Sequence, residues 1–135
     1  MKMPARIDTQ LFAPCGIDCM VCYKHCLTKK PCPGCLAGDS GKPEHCRVCR
    51  IKTCATEKGV AYCFACAEFP CKFIKNLEKS YNQRYDESLV ANSLLAQTQG
   101  IGQVLELHQQ KYRCSHCAGV VSMHDKACTE CGERK

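Results

Sequence analysis

Tryptophan is absent from this 135-residue chain, and only four phenylalanines and five tyrosines supply aromatic bulk. So small a unit with so few large apolar side chains has little hydrophobic stability to spare. Met1-Lys2-Met3-Pro4-Ala5-Arg6 leads into mixed polar sequence with no apolar run of seven or more residues. A secretory signal is therefore not expected, and no stretch approaches the length that spans a bilayer. A glycine-rich phosphate loop, a nucleophile elbow and an HExxH pair are also missing, which removes the usual marks of nucleotide, serine-hydrolase and zinc-protease chemistry.

What the chain has instead is cysteine. Sixteen are present: twelve before residue 72, none over 72–112 and four after that. A cytoplasmic chain sees a reducing pool, where paired cysteines signal metal more often than disulfide. The formal charge of +6 counts those thiols as neutral. Sixteen thiolates on four divalent ions would change it by −8 and leave about −2, because only the deprotonated thiol binds. The basic balance is thus no evidence for a nucleic-acid partner.

Six C-x-x-C pairs occur: Cys19/Cys22, Cys32/Cys35, Cys46/Cys49, Cys63/Cys66, Cys114/Cys117 and Cys128/Cys131. Two intervening residues let both sulfurs turn onto one ion, each about 2.3 Å from zinc. One such pair could be a redox couple, whereas six point to structural chelation. Two C-terminal pairs separated by ten residues predict a closed Cys₄ zinc ribbon, with Gly119 and Gly132 at places where a left-handed residue is useful. Cys32/Cys35 and Cys46/Cys49 repeat that spacing. Chain order then leaves two further quartets, Cys15/Cys19/Cys22/Cys26 and Cys54/Cys63/Cys66/Cys71, so about four zinc ions are expected. Interleaved pairing, as in treble-clef folds, is the other scheme. The compact Cys15–Cys26 run would also suit a [4Fe–4S] cluster.

Among the histidines, His25 and His45 neighbour cysteines and His116 lies inside a knuckle, where adjacent side chains diverge from the ion. His108 and His124 have no evident partner. Asp18 and Glu68 stand near ligands and read as solvated side chains.

Between the cysteine regions the pattern turns helical. Pro70 suits a first helical turn, and Phe73, Ile74, Leu77 and Tyr81 form one apolar stripe. Asp86-Glu87-Ser88 opens a second helix with Leu89, Val90, Leu94 and Leu95 as its buried face. Past Gly100 and Gly102, Ile101, Val104, Leu105 and His108 mark a third. The expected class is a small metal-stabilised α+β or irregular protein: a cysteine-rich domain over 1–71, a helical connector packing on it over 72–112, and a zinc ribbon over 113–135.

Cys15-Gly16-Ile17-Asp18-Cys19-x2-Cys22, Cys32-x-Gly34-Cys35, Cys46-x2-Cys49-x4-Cys54, and Cys63-x2-Cys66-x-Glu68-Phe69-Pro70-Cys71 resemble the cysteine-rich family called domain of unknown function 3795 over about residues 13–77. Cys26 stands outside that pattern. The resemblance implies metal binding in the cytosol and supplies no substrate. Function is expected to be binding, with a protein or nucleic-acid partner and no membrane. An iron–sulfur accessory protein and an enzyme with an open metal site are the alternatives. Lys111, Tyr112, Arg113, Lys126, Arg134 and Lys135 form a basic cluster that would contact phosphate while Tyr112 stacks on a base. The plainer reading is a solvated tail with Tyr112 packed on the third helix.

Overall fold

The structure is a computed structural model that describes residues 1–27, 32–34, 36 and 49–134. Among the described residues five α-helices carry it: α1 Tyr23–Cys26, α2 Arg50–Glu57, α3 Lys72–Tyr85, α4 Leu89–Gln99 and α5 Ile101–Lys111. Three short 3-10 turns, Thr9–Leu11, Cys19–Val21 and Cys63–Ala65, are the other helical elements among the described residues. β-structure among the described residues is confined to isolated antiparallel bridges. The molecule is mostly helical, more so than an α+β or irregular class implies, and among the described residues no helix is long and apolar enough to cross a membrane.

Local sequence accounts for the long helices. The apolar stripe of α3 buries Ile74 completely and half-buries Leu77 and Tyr81, while Phe73 stands exposed. Cys71 caps α3, so Pro70 precedes the helix rather than entering its first turn. The expected acidic helix start divides its labour. Asp86 closes α3 in the left-handed conformation, Ser88 caps α4 by accepting from Ala91 N–H at 3.1 Å, and Glu87 turns inward. Glu78 of α3 reinforces this start by accepting from Ser88 Oγ and Val90 N–H at 2.8 and 2.9 Å. Gly100, at φ +96°, makes the corner into α5.

Two apolar cores result. The first gathers Phe12, Val21 and Cys26 from the N-terminal region, Val104 and Leu105 from α5, and Val120, Met123 and Cys128 from the C-terminal hairpin. The second holds Ala13, Cys15, Cys19, Ala55, Cys63 and Ile74. Gly16 joins the second core to α4: it sits at φ +98°, and a Cβ there would lie 2.5 Å from Leu89 O and 2.7 Å from Ser93 Oγ. Residues 1–3 run along the C-terminal hairpin, with Met3 N–H donating to Ala118 O at 3.0 Å and Val120 N–H to Met1 O at 2.8 Å.

Candidate metal centre

The C-terminal hairpin is built by bridges Arg113↔Val120, Val121↔Cys128 and Ala127↔Arg134, which bring its two C-x-x-C knuckles face to face. The sulfurs of Cys114, Cys117, Cys128 and Cys131 all lie within 4.8 Å of one another. Cys114 Sγ is 3.8 Å from Cys131 Sγ, and Cys117 Sγ is 3.5 Å from Cys128 Sγ. A tetrahedron with metal–sulfur legs of 2.3 Å has edges of about 3.8 Å. The four thiols are thus spaced for one ion, and among the described residues no other group of histidine, cysteine or carboxylate ligands is so compact.

Electrostatics favours the charged form where a ligand needs it. Burial opposes ionisation of Cys128, but the N–H groups of Cys131 and Glu130 point at its sulfur and bring it down to about 6. Its neighbours then carry the cost of crowded charge. At Cys131 the Glu133 amide favours the thiolate, yet burial and the other three thiols prevail and push it up to about 12. A bound cation is what relieves such repulsion. Gly119 is needed for contact rather than for conformation: a Cβ there would meet Cys128 Sγ at 2.7 Å. The left-handed positions in the hairpin are Ala118, Lys126 and Gly132.

Elsewhere the predicted ligands assemble unevenly. Cys54, Cys63, Cys66 and Cys71 surround one small cavity, with Cys49 close enough to Cys63 to disfavour its ionisation. Burial first, and then Cys71, Cys54, Cys66 and Cys49, push Cys63 up to about 11. Cys15, Cys19 and Cys22 all lie near Tyr81, whose hydroxyl is pushed well above its usual range by burial and by these thiols. Cys26 points the other way, into the first core, where Ser122 hydrogen-bonds it while burial and Cys22 raise it to about 11. Cys32 is half-buried, and its N–H donates to Lys24 O at 3.0 Å. Cys35, Cys46, His45 and Lys135 lie outside the described residues. All fourteen described cysteines are free of disulfides.

Several polar residues differ from their expected solvated roles. Asp18 is 2% exposed: its Oδ1 accepts from Met20 N–H at 3.0 Å, and its Oδ2 meets His108 Nδ1 at 3.1 Å. His108 Nε2 lies 3.4 Å from Glu87 Oε1, and Glu87 also accepts from Lys111 Nζ at 3.0 Å, Asn92 Nδ2 at 3.1 Å and the Tyr112 hydroxyl. Burial alone would lower His108, but Asp18 and Glu87 raise it to about 9. Burial alone would raise Glu87, but its donors, His108 first, hold it far below the usual carboxylate range. His124 also has partners: it sits edge-on among Tyr23, Tyr81 and Tyr85, 3.3 Å from the Tyr81 hydroxyl. Glu68 is exposed and paired with Lys58, and exposed His116 lies 3.6 Å from Glu133. Tyr112 is 5% exposed, with its ring edge-on to His108.

Residues 11–76 match the family described as "Protein of unknown function (DUF3795)". This stretch is similar to the DUF3795 domain. It ends within the first turns of α3 and agrees with the 13–77 span of the resemblance, so α4, α5 and the C-terminal hairpin lie outside the matched region. No curated protein and no solved structure matches the chain.

Proposed function

We propose that the protein is a zinc-binding module whose Cys114, Cys117, Cys128 and Cys131 hold one structural ion as a zinc ribbon, and that it binds a protein partner rather than catalysing a reaction. The observation that supports this most is the spacing of the four sulfurs at 3.5 and 3.8 Å across the hairpin, which suits a tetrahedral four-thiolate ion. Four protein thiolates fill the coordination sphere and leave no position for a substrate. A protein is favoured over nucleic acid because the one aromatic residue of the basic cluster, Tyr112, is buried, and Lys111 already pairs with Glu87. The exposed Leu94 of α4 and Leu107 of α5 offer apolar surface for a partner to cover.

The test is elemental analysis of anaerobically purified chain beside Cys114→Ser. The variant should lose one zinc equivalent, and neither protein should bind DNA or RNA even at low salt, where phosphate contacts are strongest. Unchanged zinc in Cys114→Ser would remove the ribbon, and salt-sensitive nucleic-acid binding would replace the protein partner.

A further inference from the structure

Away from the hairpin, three elements of the matched region place four thiols around one small cavity, less tightly gathered than the ribbon sulfurs. Cys54 comes from α2, Cys63 and Cys66 from the Cys63–Ala65 turn and its cap, and Cys71 from the cap of α3. They line a cavity of about 20 Å³, with Val60 and Phe69 in its wall. A single water-sized sphere needs roughly 10–15 Å³, so the cavity has room for one atom-sized occupant. Water itself is a poor fit, because it needs two to four good polar partners and thiols are weak donors and acceptors.

The backbone around this cavity is tied down. Val60 N–H donates to Ala55 O at 3.0 Å, Cys63 N–H to Pro14 O at 2.9 Å, Phe69 N–H to Cys66 O at 3.1 Å and Lys75 N–H to Cys71 O at 2.9 Å. One charged group stands at the rim: Lys58 Nζ is 3.7 Å from Cys66 Sγ and pairs on its other side with Glu68. Cys49 caps α2 but does not line the cavity.

We infer that Cys54, Cys63, Cys66 and Cys71 hold a second ion, a single thiophilic divalent cation of the zinc class, with Lys58 as its outer counter-charge. Four thiolates on a divalent cation leave a net charge of about −2. An ammonium beside one sulfur offsets part of that charge and makes the ligand set easier to keep ionised. Loading releases the thiol protons to solvent and moves no electrons. The site goes beyond the ribbon and shares no ligand with it.

The intact chain loaded with cadmium-113 tests this directly, because scalar coupling between the metal and cysteine β protons identifies each ligand without mutation. One resonance should couple to Cys54, Cys63, Cys66 and Cys71, and a separate one to the four ribbon cysteines. Coupling to Cys49 or Cys15 in place of any of the four overturns the assignment, and so does a ribbon resonance with no second site. Ribbon coupling that fails while the second site appears would count against the zinc ribbon alone. Copurifying acid-labile sulfide lost in Cys66→Ser would make the site a cluster and overturn the single ion. In Lys58→Met, transfer of metal from this site to a competing chelator should become about tenfold easier, with the ribbon unaffected. Equal transfer from wild type and variant overturns the role of Lys58.

Discussion

Asp18, His108 and Glu87 form a buried chain of charge that ties the first cysteine motif to α5 and to the start of α4. Its pH dependence has a definite sign. The folded-state value of His108, about 9, lies above its ordinary 6.5, so the stability it contributes is full below pH 6.5 and is lost as pH rises through about 9. Glu87 is held below its ordinary 4.5, so its contribution is full above pH 4.5 and is lost as pH falls. Unfolding midpoints should therefore be highest between about pH 4.5 and 6.5, and the His108→Gln variant should lose most of the decline above that window, up to about 3 kcal/mol. A wild-type and variant pair with parallel profiles would show that the network titrates elsewhere. A second residue-level expectation concerns Gly119. Adding a methyl group 2.7 Å from Cys128 Sγ should weaken metal binding at the ribbon about 10- to 100-fold, measurable by chelator competition, without unfolding α3 to α5. The ribbon ligands were legible in the sequence because each pair sits within four residues. The Asp18–His108 contact was not, since 90 residues separate partners that carry no local signal.

Among the elements, α3, α4 and α5 followed from apolar period and punctuation. The period placed Ile74 and Leu89 in the interior, and Gly100 marked the corner. Single residues at the boundaries were harder to read. Asp86-Glu87-Ser88 looked like one acidic helix start, yet the three residues serve three different structures, because a short connection must close one helix and open the next. The Ser88 cap is testable on its own. Ser88→Ala removes the acceptor for Ala91 N–H and the donor to Glu78, and should cost about 1 kcal/mol in chemical unfolding. A change below a few tenths would mean that Glu78, through Val90 N–H, caps the helix unaided. Cysteine also serves as punctuation here. Cys22, Cys49 and Cys71 precede α1, α2 and α3, so in this chain a thiol stands where Ser, Thr or Asp would cap by hydrogen bond, and none of the three makes a side-chain cap.

At the scale of the whole molecule, candidate ligands are embedded in both cores: Cys128 and Cys114 in the first, Cys15, Cys19 and Cys63 in the second. Exhaustive chelation should therefore dissolve tertiary packing across the chain. Near-ultraviolet dichroism and amide dispersion over residues 13–71 should collapse, while helical signal from α3 to α5 is partly kept. Unchanged dispersion after verified metal removal would show that the apolar contacts suffice. The shared core was hidden from sequence because a ribbon reads as self-contained, and nothing in Met1-Lys2-Met3 announces a pairing with Ala118 and Val120. That pairing has a consequence for biosynthesis. Residues 1–3 bond to residues made more than a hundred positions later: Met3 N–H donates to Ala118 O, and Met1 O accepts from Val120 N–H. At roughly 5–20 residues per second, residues 1–3 wait about 6 to 25 s for those partners to be made. Throughout that interval the nascent chain exposes free thiols and unpaired backbone, so the first core closes only once the hairpin residues Val120, Met123 and Cys128 have been made.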